Sequence, residues 1–193
     1  ILALSILVLA ACGDDDGGGG KTGGGGEEDL VVGISWNNYA KPRWAKADGP
    51  AIIEAVEAAG GTVIETDAND SSEQQLADVD SLINQGADVL ILLAKDAEAI
   101  LPAVTRATEA GIPVIGYDRL IEDENAFYIT FNNEQVGTIM AEEITAVAPE
   151  GNYAIVKGHS ADPNADFLRG GMTPILDQFP GIDIVCEDYN DDW

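Results

Sequence analysis

An acid and a base stand side by side at the end of a short apolar run. Residues 112–115 (Ile-Pro-Val-Ile) lie between glycines, which is typical of a buried parallel strand, and Asp118 and Arg119 follow. In an open α/β sheet, ligands bind at the carboxyl ends of the strands. A carboxylate accepts hydrogen bonds from hydroxyls and a guanidinium donates a planar set of them, so the two suit an uncharged ligand with many hydroxyls. The alternative is a solvated ion pair in a surface loop.

Strands and helices alternate from residue 30 onward. The predicted strands are residues 30–34, 62–66, 88–93, 112–115, 126–131, 152–156 and 182–185. Helices of ordinary length separate them, which indicates βαβ units and a parallel sheet, with the run 88–93 apolar enough to be central. Because such crossovers are right-handed, the loops after the strands gather at one edge. These loops are polar and aromatic, which favours binding.

Local signals predict two helix boundaries. Ser72 with Gln75 has the spacing of a capping box at the start of one helix. A later helix is predicted over residues 97–110, closed by Gly111.

The chain is strongly acidic. Its 35 acidic and 9 basic residues give a net charge of −26. Such a surface repels phosphate groups, so neither nucleic-acid binding nor adsorption to an anionic membrane surface is expected.

The first residues have the features of an exported lipoprotein. Residues 1–11 are an apolar run of signal-peptide length, too short to span a bilayer. The stretch 9–12 (Leu-Ala-Ala-Cys) resembles a bacterial lipobox, in which Cys12 is lipidated; a stray cysteine is the alternative. Residues 13–29, rich in Gly and Asp, predict a flexible linker. Cys186 lies in an apolar run and is expected in the core, so no disulfide is predicted.

Signals for catalysis and metal binding are weak. His159 is the only histidine, so a Ser-His-Asp triad would depend on it, and no acid–base pair supports a reaction. Asp188, Asn190 and Asp192 have the alternate spacing that begins a calcium loop, but Trp193 replaces the glycine that should follow. We therefore expect a binding protein, not an enzyme, with no cofactor and no metal.

Several motifs match one family of binding proteins. They are residues 43–44 (Arg-Trp), 117–119 (Tyr-Asp-Arg), 131–137 (Phe-Asn-Asn-Glu-Gln-Val-Gly), 149–153 (Pro-Glu-Gly-Asn-Tyr) and 164–169 (Asn-Ala-Asp-Phe-Leu-Arg). Together they resemble the sugar-binding proteins of bacterial ABC importers, of the type I periplasmic-binding-protein fold, and most of all the D-xylose-binding members. The resemblance implies an α/β fold of two Rossmann-like parallel-sheet lobes. It places the first lobe, without its return segment, at residues 30–131 and a truncated second lobe at residues 132–193.

The resemblance also implies which side chains contact the sugar. Those expected to hydrogen-bond its hydroxyls are Arg43, Asp118, Arg119 and Asn164. Trp44 and Trp193 are expected to stack on the two faces of the ring. Sugar rings have C–H faces that pack on aromatic planes and a rim of hydroxyls that suits charged, planar partners. Further possible ligands are Trp36, Asn37 and Lys95.

Each of the main candidates has a structural alternative. Trp44 could pack at the start of a helix, Arg43 could be a surface cation, and Asn164 could cap the helix that follows it.

The leading hypothesis is an extracytoplasmic, lipid-anchored and monomeric receptor. It would capture a monosaccharide, D-xylose being the expected one, by lobe closure and deliver it to an ABC permease. The lipid anchor would be its only attachment to a membrane. The alternative is a sugar-sensing module that signals to a chemoreceptor or a histidine kinase, or a receptor for another pentose or hexose.

Overall fold

A five-stranded parallel sheet organises the first part of the computed structural model, which describes residues 30–190. Its order is β2-β1-β3-β4-β5. The strands are β1 (Val31–Trp36), β2 (Thr62–Asp67), β3 (Val89–Leu92), β4 (Val114–Tyr117) and β5 (Ala126–Ile129). The parallel arrangement and the central position of β3 confirm the prediction of a parallel sheet with this apolar run at its centre. The apolar side chains of β3 pack into the core on both faces of the sheet.

Helices cover both faces of this sheet. They are α1 (Gly49–Ala58), α2 (Ser72–Asn84) and α3 (Leu101–Glu109), and a π-helical turn (Trp44–Asp48) leads directly into α1. One core cluster joins α2 and α3 to the sheet through Leu82, Val104 and Leu90. The other lies on the opposite face, where Ile52 and Val56 of α1 pack against Ile34 and its neighbours. Because helices cover both faces, a ligand can reach this sheet only at the ends of its strands.

A second, smaller sheet follows. Strands β6 (Gly151–Val156) and β7 (Ile182–Asp188) pair in parallel, with an irregularity in register at Tyr153 and Ala154. Helices α4 (Asn133–Val147) and α5 (Asn164–Leu176) accompany them. We call this part, residues 132–190, the small-sheet unit, and residues 30–131 the large-sheet unit.

Two glycines allow α4 and α5 to pack backbone against backbone. A Cβ on Gly137 would overlap the carbonyl oxygen of Leu168, and a Cβ on Gly171 would overlap that of Glu134. The hydroxyl of Thr138 also donates to the Gly171 carbonyl at 3.1 Å. The helices therefore approach more closely than any side chain would permit.

Two predicted helix boundaries are wrong. Ser71, not Ser72, caps α2, because its backbone is extended and its side chain accepts from the Gln74 N–H at 3.1 Å. The helix predicted from residue 97 begins at Leu101. The Asp96 carboxylate accepts the N–H groups of Glu98 and Ala99 and so forms a turn before α3.

The core position expected for Cys186 is also wrong. Cys186 is exposed, because β7 pairs with β6 alone among the described strands and is exposed over most of its length.

Among the helices of residues 30–190, none combines the length and apolar character needed to cross a membrane.

Candidate functional site

A cavity of about 240 Å³ opens at the carboxyl ends of β1, β4 and β6. The loop after β1, the residues after β4 and the loop after β6 all contribute to its wall. The lining residues are Lys41, Arg43, Trp44, Asp118, Arg119 and Asp162. The structure thus brings together four of the residues that the sequence predicted as ligands.

Arg43 is held between two carboxylates. Its Nη1 lies 2.7 Å from Oδ1 of Asp118, and its Nε donates to Oδ2 of Asp48 at 3.0 Å. Burial opposes the charge, but Asp118 and Asp48 outweigh burial and raise the pKa of the guanidinium. The guanidinium carbon also lies 4.3 Å from the centre of the Trp44 ring. Arg43 is therefore oriented on three sides, although its side chain is 43% exposed.

Asp118 has an unusual backbone conformation. Its φ is +64°, in the left-handed region that only short polar side chains and glycine enter readily. Hydrogen bonds hold it there: its N–H donates to the Ile129 carbonyl at 2.9 Å, and its carbonyl accepts from Nδ2 of Asn164 at 2.7 Å. Non-glycine residues in this region cost about 1–3 kcal/mol and cluster at binding sites.

Arg119 is buried and paired with a residue of the small-sheet unit. Its Nε lies 3.1 Å from Oδ2 of Asp162, and its Nη1 donates to the carbonyls of Ala94 at 3.3 Å and Lys95 at 3.0 Å. Asp118 and Arg119 therefore do not form the solvated pair considered as an alternative, since each faces a different partner. Burial raises the pKa of Asp162, and the nearby guanidinium only partly opposes this.

Asn164 connects the two units. Its Oδ1 accepts from the Tyr128 hydroxyl at 3.0 Å and from Nδ2 of Asn133 at 2.9 Å, while its Nδ2 donates to Asp118. No side-chain bond caps the start of α5, so the capping alternative for Asn164 is wrong. Its amide instead fixes the position of Asp118 relative to α5.

The remaining candidates take different positions. Trp44 is only 6% exposed and stacks on Trp36, with ring centres 6.4 Å apart. Trp36 lies deeper, 1% exposed, and its Nε1 donates to Glu65 at 2.7 Å. Asn37 is fully buried, and Lys95 lies beside the cavity with its Nζ 3.7 Å from Asp70. Trp36, Asn37 and Lys95 therefore support the site from beneath or beside it.

Two predicted residues, Cys12 and Trp193, lie outside the residues that the structure describes.

The sequence did not predict two of the residues that line the cavity, Lys41 and Asp162. Both stand in loops that the strand pattern assigned to the binding edge, but single charges are common in loops and gave no further signal. Burial lowers the pKa of the Lys41 ammonium, and Asp70 at 3.7 Å partly compensates for this.

Charges around the cavity balance, although the chain as a whole is strongly acidic. The chain has nine Lys and Arg residues, and four of them lie in or beside the cavity. Four carboxylates pair with them there. The cations are Lys41, Arg43, Lys95 and Arg119, and the anions are Asp48, Asp70, Asp118 and Asp162. Such a set can hydrogen-bond a neutral polar ligand without a large Coulombic preference for either sign.

The small-sheet unit contains a cavity that offers less chemistry. A cavity of about 280 Å³ in the small-sheet unit is lined mainly by apolar side chains such as Met140, Ile144 and Met172. No group of three or more His, Cys, Asp or Glu side chains in this range is placed to hold a metal ion.

Comparisons with known proteins agree on one family. Residues 32–193 match the periplasmic binding protein domain family. The D-xylose-binding periplasmic protein of Haemophilus influenzae is 34% identical over 169 residues, which cover 86% of this chain and 51% of that protein. The chain thus spans about half the length of this relative.

Solved structures give the same result. An ABC transporter solute-binding protein from Clostridium phytofermentans, with bound β-D-glucose, aligns with a TM-score of 0.74 and 27% identity over 80% of this chain and 51% of its own. The fructose-binding periplasmic domain of a hybrid two-component system aligns with a TM-score of 0.75 and 26% identity over 85% of this chain and 55% of its own. These alignments support the α/β fold.

Proposed function

Because the chain belongs to the periplasmic binding protein family, we propose that the complete protein is an extracytoplasmic receptor that binds a monosaccharide for an ABC importer. The observation that carries the proposal is the cavity itself, where two arginines and two carboxylates, each already oriented by a partner, line the wall together with Trp44. Groups fixed before binding lose little entropy when a ligand arrives.

Each lining group has a role that suits a sugar. Asp118 accepts hydrogen bonds from hydroxyls, and Arg43 and Arg119 donate to hydroxyl oxygens. Trp44, which lines the cavity, supplies apolar surface for C–H groups of the sugar. Asn164 holds Asp118 through its amide, and Trp193 would stack on the opposite face of the sugar ring.

The balanced charge of the site indicates an uncharged sugar. An anionic sugar would leave the carboxylates of Asp118 and Asp162 close to a like charge, which costs free energy in a partly buried site. Among neutral sugars we propose D-xylose, because the 34% identical relative is a D-xylose-binding protein. Glucose and other monosaccharides are the competitors to test.

The proposal includes the organisation of the chain. Residues 1–12 form part of a lipoprotein signal with Cys12 lipidated, residues 13–29 form the linker, and residues 30–131 and 132–193 belong to two lobes that close on the sugar. The break between the large and small sheets near residue 131 supports this division. The receptor acts as a monomer, carries out no catalysis, and presents its closed form to the permease.

Calorimetric titration of the full-length protein tests this function. We expect D-xylose to bind most tightly among D-xylose, D-glucose, D-ribose and L-arabinose, with one site per chain. If none of the four binds, the proposed function is wrong; if another of the four binds best, only the choice of sugar is wrong.

A sensor role is the second candidate, favoured by the likeness to the binding domain of a two-component system. Proteoliposomes that contain the permease and its ATPase distinguish the two. Stimulation of ATP hydrolysis by the sugar-loaded receptor supports transport, whereas no stimulation, combined with sugar-dependent binding to a receptor kinase, supports sensing.

A further inference from the structure

The turn before α1 has a geometry that places residues five apart on the same face. In the π-helical turn Trp44–Asp48, the N–H of Gly49 donates to the carbonyl of Trp44, five residues earlier. In an α-helix the facing positions are three or four residues apart, so Arg43 and Asp48 would not face each other. Single π-helical turns occur frequently at functional sites.

Asp48 uses this position to contact two residues of the site. Its Oδ2 accepts from Nε of Arg43 at 3.0 Å and from the hydroxyl of Tyr117 at 2.8 Å. Its side chain is 14% exposed; the bond to Tyr117 is partly buried, and the bond to Arg43 is exposed to solvent. Tyr117 directly precedes Asp118, and Asp48 therefore links the turn to the end of β4.

Arg43 needs such a partner. Its side chain is 43% exposed, and a long cationic side chain at a cavity mouth otherwise samples many rotamers. Asp48 holds Nε while Asp118 holds Nη1, and the Trp44 ring supports the guanidinium plane. With Nε and Nη1 fixed, the guanidinium plane keeps one orientation toward the cavity.

We propose that Asp48 is a positioning residue: carried by the π-helical turn, it fixes the Arg43 guanidinium in the orientation that binds the sugar. This inference rests on the proposed function, because it assigns Arg43 to sugar binding. The competing explanation is a purely structural role, in which Asp48 joins the turn to β4 through Tyr117 and does not act on Arg43.

A double-mutant cycle on the full-length protein separates these explanations, with D-xylose affinity as the readout. We expect Asp48→Ala to weaken binding about tenfold, the effect of losing one charge-assisted hydrogen bond. In an Arg43→Met background, which keeps the stem against Trp44, we expect the same change to alter affinity less than about twofold. Tyr117→Phe, which removes the other bond to Asp48, serves as the matched control and should change affinity less than about threefold.

Each outcome has a definite meaning. An equal loss from Asp48→Ala with Arg43 present and absent, or no loss at all, overturns the inference while leaving sugar binding in place. If Asp48→Ala does not fold, Asp48→Asn is used in the same cycle, since it keeps the shape and removes the charge. If the unaltered protein binds no sugar, the proposed function fails, and this inference fails with it.

Discussion

Arg119 and Asp162 pair across the junction between the large-sheet and small-sheet units, with Nε of the arginine 3.1 Å from Oδ2 of the aspartate. Their side chains are only 6% and 7% exposed. A pair removed from water to this extent loses hydration that its mutual attraction only partly restores. The contribution of the pair to the free energy of unfolding therefore depends on whether Asp162 is protonated.

The raised pKa of Asp162 predicts a pH dependence of stability. Since burial raises this pKa above its ordinary value of 3.8, the folded protein holds, at pH values between the two pKa values, a proton that the unfolded chain has released. The stabilisation from this proton is complete below pH 3.8 and is lost as pH rises through the folded pKa. We expect the unfolding free energy of the full-length protein, relative to that of Asp162→Asn, to fall as pH rises above 3.8 and through the raised pKa of the folded state. Urea unfolding of both proteins checks this, and a constant or rising difference would show that the pKa is not raised.

Replacement of Arg119 by lysine should weaken sugar binding by more than about 1.5 kcal/mol. An ammonium keeps the charge but cannot reach Asp162 and the Ala94 and Lys95 carbonyls with one planar group. Calorimetry provides the measurement. Arg106→Lys is the control, because Arg106 pairs with Asp80 on the partly exposed faces of α3 and α2, and its replacement should leave affinity unchanged.

Two tryptophans that stack on each other should differ in their effect on binding. Trp44 lines the cavity, whereas Trp36 lies beneath it. We expect Trp44→Leu and Trp36→Leu each to lower the unfolding free energy by about 2–4 kcal/mol, because both side chains are buried. Only Trp44→Leu should also weaken sugar binding, measured on folded protein. Equal losses of affinity would mean that Trp44 acts through the core and not on the ligand.

Any side chain at the two glycines where α4 and α5 touch should lower the free energy of unfolding. Gly137→Ala and Gly171→Ala each place a methyl group against a backbone carbonyl of the facing helix, so each should destabilise the protein by about 1–3 kcal/mol or more. Gly170→Ala is the matched control: apart from its chain neighbours and the adjacent backbone of α5, no atom lies within 4 Å of its added Cβ. It should stabilise α5 by about 0.5–1 kcal/mol. Chemical unfolding of the three variants gives the comparison, and similar values for Gly170 and Gly171 would contradict the observed packing.

The sequence predicted the parallel sheet well because its strands are short apolar runs whose partners follow in regular order. The run over β3, for instance, is too apolar to occupy an edge, and it lies at the centre. The positions of Asp118 and Arg119 at a sheet edge followed from the same pattern. Their separate partners did not, since Asp162 and Asn164 reach them from a distant part of the chain.

Other features depended on contacts that no local pattern reveals. Gln75 was interpreted as half of a capping box, but its amide is buried and donates to the Leu93 carbonyl at 2.9 Å. Its Oε1 accepts from the N–H of Lys95 at 2.8 Å, so its position is set by the sheet edge. The π-helical turn was likewise not predicted, because hydrophobic spacing does not distinguish a five-residue turn from a four-residue one.

The left-handed conformation of Asp118 has a mechanical consequence. Asn164, at the start of α5, bonds to the backbone of the same residue whose carboxylate holds Arg43. A rotation that draws α5 away from β4 would break this bond and remove one of the two backbone hydrogen bonds that hold the left-handed φ of Asp118. The position of α5 and the backbone conformation of Asp118 are therefore linked, and under the proposed function a sugar that holds the Asp118 carboxylate would also oppose a displacement of α5.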